Sequence, residues 1–336
     1  ILLNAQVKAG KLAMAARNKL LAEMTDEVAQ LVLRDNYQQT QTISMLEYRA
    51  PQMIDAQQRM MKLLEREGLL NREIEYLPAD EEILERVKAG LGLTRPELAV
   101  LLPYGKMWLF DKLLDSDFPD DPLTEEDLFN YFPEPLRKKY AAGIGKHKLR
   151  REITATVINN SFINRVGPSF LTTLMERTGL GPVDVAKAYT VTRAAYGLRD
   201  LWSAIEALDN KVPAHTQIDM LLEVVRMLER SVLWMLRHVT APMDMAGLIK
   251  TLKPRVEALR DVLSEVWTDE EAAYAKRQAD GYRKSGVPAA LAHQVASIYR
   301  LAAANDIATV MESTRQNVAT VAKVYFLVGE RFGLGS

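Results

Sequence analysis

"TQIDMLLEVVRMLERSVLWMLRH", residues 216–238, decides the fold class. Ile218, Leu221, Leu222, Val225, Leu228, Val232 and Leu236 recur at steps of three and four, the spacing that lines up side chains on one face of an α-helix. Glu223, Arg226, Glu229, Arg230 and Arg237 lie mostly off that stripe. The pattern predicts a long helix that buries one face in a bundle. Working outward, nearly every segment longer than ten residues repeats this period, and "NREIEYLP" (71–78) is the one short extended candidate. Gly68 closes the helix over 51–68. "LTRPE" (93–97) reads as a capping box, Thr94 facing Glu97, with Pro96 in the first turn where its missing N–H costs nothing. Thr124, in the turn-rich loop 115–128, is expected to cap the next helix. The fold class that follows is all-α, a multi-helix bundle in two or more packed units. The expected divisions are 1–78, 79–240 and 241–336.

A second stretch, "HKLRREITATVINNSFINRVG" (147–167), is helical in period but rich in polar groups. At about 100° per residue, Asn160 and Asn164 fall within ~60° of Leu149 and Ile153, continuing an apolar stripe. Ile158 and Phe162 lie nearly opposite, with Arg151 between them. A helix apolar on two sides is buried on two sides, and a buried amide without a partner costs on the order of 1–3 kcal/mol. Arg150, Arg151, Asn160, Asn164 and Arg165 are therefore expected to form a structural polar network, with a ligand site as the competing reading.

The chain also carries an internal similarity. "TTLMERTGLGPVDVAKAYTVTRAAYGL" (172–198) aligns without gaps on "ATVMESTRQNVATVAKVYFLVGERFGL" (308–334), and ten of the 27 positions are identical, among them Val185/Val321, Ala186/Ala322, Lys187/Lys323, Tyr189/Tyr325, Gly197/Gly333 and Leu198/Leu334. This fixed register predicts a repeated helical substructure. In the first copy a segment with Trp202 follows; in the second the sequence stops at Ser336. The helix at 318–332 is therefore expected to leave apolar surface open around Val324, Phe326, Leu327 and Val328. With an apolar start at Ile1 and no initiator Met, the sequence reads as an excerpt of a longer one.

Composition narrows the function classes. With 336 residues, 48% hydrophobic and 26% charged, the chain can build two or three cores. A formal net charge of −1 argues against a nucleic-acid binder, which carries a basic excess. The absence of cysteine rules out disulfides and thiolate metal sites. No apolar run approaches the roughly 18 residues that span a bilayer; "LAVLLPY" (98–104) is interrupted by Pro103. Neither a membrane nor a nucleic acid is an expected partner.

Catalytic signatures are missing too. His147, His215, His238 and His293 stand at no metal-ligand spacing, and Walker-type loops, His-Glu-x-x-His and Gly-x-Ser-x-Gly are absent. "AAGIGKHK" (141–148) has no strand before it and reads as a helix-breaking loop. Glu81-Glu82 and Glu125-Glu126-Asp127 sit at helix starts, where the dipole favours negative charge. Lys106 has no sequence neighbour that would depress its pKa and reads as a surface lysine. No catalytic, cofactor-binding or metal residue is assigned.

Several long words then occur together: "MTDEVAQLVLRDNYQQTQTISM" (24–45), "GLTRPELAVLLPYGKMWLFDKLL" (92–114), "YFPEPLR" (131–137) with 147–167, and "LWSAIEALDNKVPAHTQ" (201–217). In this order they resemble the C-terminal part of the large bacterial NAD-specific glutamate dehydrogenases, over essentially the whole chain. The opening "ILLNAQVKAGKLAMAARNKLL" (1–21) resembles the exit from that family's nucleotide-binding domain. The resemblance implies an all-helical, non-catalytic region of an oxidoreductase of amino acid catabolism. The full enzyme would oxidise L-glutamate to 2-oxoglutarate and ammonia with NAD, in the cytoplasm and as a homo-oligomer. NAD would belong to the full-length enzyme and not to this segment, and the catalytic domain of the same long chain would be its partner. The alternatives are a helical scaffold or adaptor unrelated to catalysis, and a self-sufficient enzyme of another type.

Overall fold

The computed structural model describes residues 1–333. It is all-α: eighteen α-helices and two short 3-10 turns, with no strand among the described residues. Two compact units make up the chain, Ile1–Thr173 and Leu174–Ser336. That single boundary differs from the three-part division expected at 78/79 and 240/241. Helices on both sides of residue 78 pack on one another, as do helices on both sides of residue 240.

The first unit holds α1 (Leu2–Lys8), α2 (Met14–Glu23), α3 (Thr25–Tyr48), α4 (Ala50–Arg66), α5 (Asp80–Lys88), α6 (Arg95–Leu114), α7 (Glu125–Asn130), α8 (Glu134–Gly145) and α9 (Arg150–Val166). The 3-10 turns Phe118–Asp120 and Pro122–Thr124 lie between α6 and α7, and α10 (Pro168–Thr178) contains the unit boundary. Mutual packing of α3, α6 and α9 forms the centre. A satellite core joins Leu2, Leu3, Leu20 and Met24 to Leu128, Phe132, Leu136 and Ile144.

Local signals account for several helix ends. The Thr94 N–H donates to Glu97 at 2.7 Å, and Glu97 in turn takes a bidentate pair from Arg86 at 2.7 and 2.8 Å, fastening α5 to the start of α6. Other local expectations fail for physical reasons. Residues 71–77 form turns, because the Asn71 side chain accepts from the N–H groups of Glu73 and Ile74. Thr124 does not cap α7: it is itself in the helical region, and its hydroxyl donates to the Asp121 carbonyl at 2.8 Å. Gly143 and Gly145 lie inside α8, so the break comes at Lys146.

The second unit comprises α11 (Pro182–Ala195), α12 (Leu198–Glu206), α13 (Ala214–His238), α14 (Met245–Val266), α15 (Asp269–Lys284), α16 (Ala289–Leu301), α17 (Ala304–Thr314) and α18 (Val318–Phe332). α13 is its central element. Besides the expected stripe, of which only Ile218 is half-buried, it buries Met220, Val224, Met227, Ser231 and Met235, because α11, α12 and α16 all pack on it.

Under the 136-residue offset, α10 and α17 have the same bounds, α11 and α18 start together, and α18 runs one residue further. Left-handed backbone recurs at Gly179 and Arg315, and at Gly197 and Gly333. Val185/Val321 and Ala186/Ala322 are buried in both segments. The opposite faces differ: Ala188, Val191 and Thr192 are fully buried, whereas Val324, Leu327 and Val328 are 55%, 48% and 43% exposed. Phe326, expected on that open face, is buried. The matching pair Leu198/Leu334 has its second member outside the described residues.

Candidate functional site

The polar residues of α9 separate into two groups. At its N-terminus Arg150 and Arg151 both pair with Asp120 of the first 3-10 turn. Arg151 also donates to the carbonyls of Leu114 and Ser116 at 2.7 and 2.9 Å, satisfying acceptors at the end of α6. Further along, the Asn164 amide donates to the Asp35 carboxylate of α3 at 2.9 Å, and Asp35 also accepts from Gln39 at 2.7 Å. The Thr42 hydroxyl donates to the Asn164 carbonyl. Asn159 donates to the Lys106 carbonyl of α6 at 2.8 Å.

Asn160 is placed differently from the sequence reading. It is half-buried, and the buried amides are Asn159 and Asn164. The face α9 buries runs through Thr154, Ala155, Ile158, Asn159, Phe162, Ile163 and Val166. Leu149, used to orient the helix from sequence, is 42% exposed. Arg165 is half-buried and partnered. Arg150 and Arg151 share Asp120, while Asn164 bonds a different helix, so the five candidates do not converge on one point.

Sequence reasoning missed Lys106 as part of this junction. It is half-buried beneath α9, and burial lowers its pKa against the opposing attraction of Asp35. The carboxylate lies 71 positions upstream, so nothing local signals the pairing. Lys106, Asp35, Asn159 and Asn164 thus form a polar knot joining α3, α6 and α9. Its amide N–H groups are bonded to the Asp35 carboxylate and the Lys106 backbone carbonyl, which suits holding helices in register.

The second unit contains a cavity of about 570 Å³ bounded by α13, α15 and α16. An adjacent one of about 730 Å³ reaches α18 and shares Arg230, Glu271, Tyr274 and Arg300 with the first. Arg230 donates to the hydroxyls of Tyr299 and Tyr325 at 3.4 and 3.3 Å and lies 5.4 Å from the Tyr299 ring centroid. Asp306 accepts from the Trp234 indole at 2.7 Å and from the Tyr325 hydroxyl at 3.0 Å. Burial raises the Tyr325 pKa, with the negative Asp306 adding to the shift. The buried Trp267 indole N–H has no hydrogen-bond partner. Among the described residues no three His, Asp or Glu side chains are grouped to hold a metal, and no helix is long and apolar enough to cross a membrane.

Against known proteins, a family model described as "Glutamate dehydrogenase, C-terminal" matches residues 90–336. One described as "Bacterial NAD-glutamate dehydrogenase, catalytic domain" matches residues 1–46. The NAD-specific glutamate dehydrogenase of Halomonas elongata is 40% identical over 99% of this chain and 21% of its own length. Those of Pseudomonas aeruginosa and Mycobacterium tuberculosis are 39% and 32% identical, again over 99% of this chain, and over 21% and 20% of their own lengths. An all-α chain with these matches belongs to the C-terminal region of the large bacterial NAD-specific glutamate dehydrogenases. It spans about a fifth of the length of these curated relatives.

Proposed function

We propose that this chain is the helical, non-catalytic part of an NAD-dependent glutamate dehydrogenase and that it anchors the end of the catalytic domain. One observation carries this reading. The segment matched by the catalytic-domain family, residues 1–46, does not stand apart from the segment matched by the C-terminal family. Leu2, Leu3, Leu20 and Met24 share a core with Leu128, Phe132, Leu136 and Ile144. Asp35 and Thr42 of α3 bond Asn164 of α9, Ser44 accepts from Arg95 at 3.0 Å, and Glu27 accepts from the Glu134 N–H at 2.9 Å. Burying such a mixed apolar and polar contact fixes α3 against the C-terminal helices, and through α3 whatever precedes it in the long chain.

In this reading the full enzyme converts L-glutamate and NAD to 2-oxoglutarate and ammonia, works in the cytoplasm and assembles as a homo-oligomer. The present chain carries neither the nucleotide loop nor the catalytic lysine motifs of that chemistry. Incubation of the 336-residue chain with L-glutamate and NAD is expected to give no NADH absorbance above a heat-killed control; turnover would overturn the non-catalytic assignment. In the full-length protein that contains this chain, Ile144→Asp at the shared core is expected to lower the melting temperature and the specific activity together. Unchanged activity and melting would overturn the anchoring role.

A further inference from the structure

The cavity of the second unit is not needed for the anchoring role, and its walls are unevenly compensated. Four arginines and three glutamates line it. Three of the arginines are matched: Arg177 to Glu229 at 2.6 Å, Arg300 to Glu271 at 3.2 Å, and Arg226 to Glu223. Arg230 is the remainder. Its hydrogen-bond partners are two neutral hydroxyls at long range, and the carboxylate behind them, Asp306, accepts from Trp234 and Tyr325. A guanidinium has five N–H donors in a fixed fork that fits a carboxylate. Arg230 is half-buried, so water screens it poorly, and no carboxylate forks onto it directly; Asp306 reaches it only through the Tyr325 hydroxyl.

The rest of the surface limits what could answer that charge. Leu233, Ala275 and Ala296 supply apolar wall, and Tyr274 and Trp267 supply aromatic wall. The volume, about 570 Å³, lies in the roughly 300–1,000 Å³ range of small-molecule sites.

We propose that this cavity binds a small organic carboxylate with an apolar or aromatic body. Its carboxylate forks onto Arg230 beside Tyr299, and its body lies against Leu233, Ala275 and Tyr274. The single unmatched guanidinium selects one negative charge; a phosphate dianion would find the other three arginines already paired. A cationic ligand would meet the wrong sign. The site joins α13 to α15 and α16, so occupancy stabilises the second unit by mass action.

The test uses 3-phenylpropanoate as probe on the 336-residue chain, with 3-phenylpropan-1-ol as its neutral counterpart and inorganic phosphate as the alternative anion, followed by titration calorimetry. The carboxylate is expected to bind at least tenfold more tightly than the alcohol or phosphate. Arg230→Met is expected to remove that tenfold preference while leaving the alcohol's affinity unchanged. Ala296→Phe, which fills the cavity and leaves Arg230 in place, is expected to abolish binding of both organic probes, with far-ultraviolet circular dichroism confirming that the helices are intact. No carboxylate binding up to about 10 mM, equal affinity for carboxylate and alcohol, tighter phosphate binding, or binding that survives Ala296→Phe would each overturn the proposal. The readout is binding alone, so its result is independent of whether the chain anchors a catalytic domain.

Discussion

Replacing Asn164 with Leu isolates the polar knot of the first unit. Leu has the same branching and number of side-chain heavy atoms as Asn but is bulkier, so the substitution opens no cavity, and the Asp35→Leu background separates overpacking from loss of the bond. Asn164 is 1% exposed and donates to the Asp35 carboxylate at 2.9 Å. A hydrogen bond to a charged group contributes roughly 1.5–3 kcal/mol. Against this, the Asn164 side-chain oxygen is buried without a partner, and removing it returns on the order of 1 kcal/mol. The net expectation is a loss of about 0.5–2 kcal/mol, or a fall in melting temperature of roughly 1–8 °C for a unit of this size. The backbone carbonyl that Thr42 uses survives the change. Asn160→Leu is the control: half-buried, one position outside the packed face, it is expected to shift stability by less than about 0.5 kcal/mol. Thermal melts of both variants, and of Asn164→Leu in an Asp35→Leu background, make the comparison. If Asn164→Leu melts like Asn160→Leu, or costs as much when Asp35 is already gone, the Asn164–Asp35 bond does not hold α9 to α3.

Gly92→Ala would place a methyl carbon 2.2 Å from the backbone carbonyl carbon of Ala50. Because backbone cannot step aside as a side chain can, a loss of about 1–3 kcal/mol is expected in denaturant titration. Lys106 has its pKa lowered by burial, so the folded state disfavours its charge and stability rises as pH climbs from the depressed pKa toward 10.5. Lys106→Met is expected to raise stability at neutral pH and erase that rise, as measured by urea midpoints across alkaline pH. Tyr196 behaves in the opposite sense: burial pushes its pKa up to about 12, so its contribution is full below pH 10 and is lost between pH 10 and 12. Tyr196→Phe is expected to flatten that loss, at a cost of about 0.5–1.5 kcal/mol for the bonds to Ser231 and Leu301; an unchanged alkaline profile would contradict the assignment.

Much of the architecture is legible in the chain because its causes are local. The period of 216–238, the Thr94–Glu97 box and the glycine at 68 act within one or two turns of helix, and the α-helices they imply are present. Where one local signal competed with another, the reading failed. Asn71 has a side chain that closes a turn on its own backbone, and that outweighed the extended look of 71–78.

The polar sites were less legible, because burial is decided by which neighbour arrives. Periodicity places Asn159 and Asn160 only 100° apart, and both flank apolar residues. The sequence determined that α9 is a helix with polar groups on apolar faces. Only the approach of α3 and α6 decided that Asn159 and Asn164 are buried and Asn160 half-open, and that Lys106 is desolvated near an aspartate 71 positions away. Likewise, composition determined a near-neutral chain, but only the assembly of α13, α15, α16 and α18 decided which arginine is left unmatched. Helix formation depends on contacts within a few residues, whereas desolvation and charge pairing depend on atoms that the chain brings together from far apart.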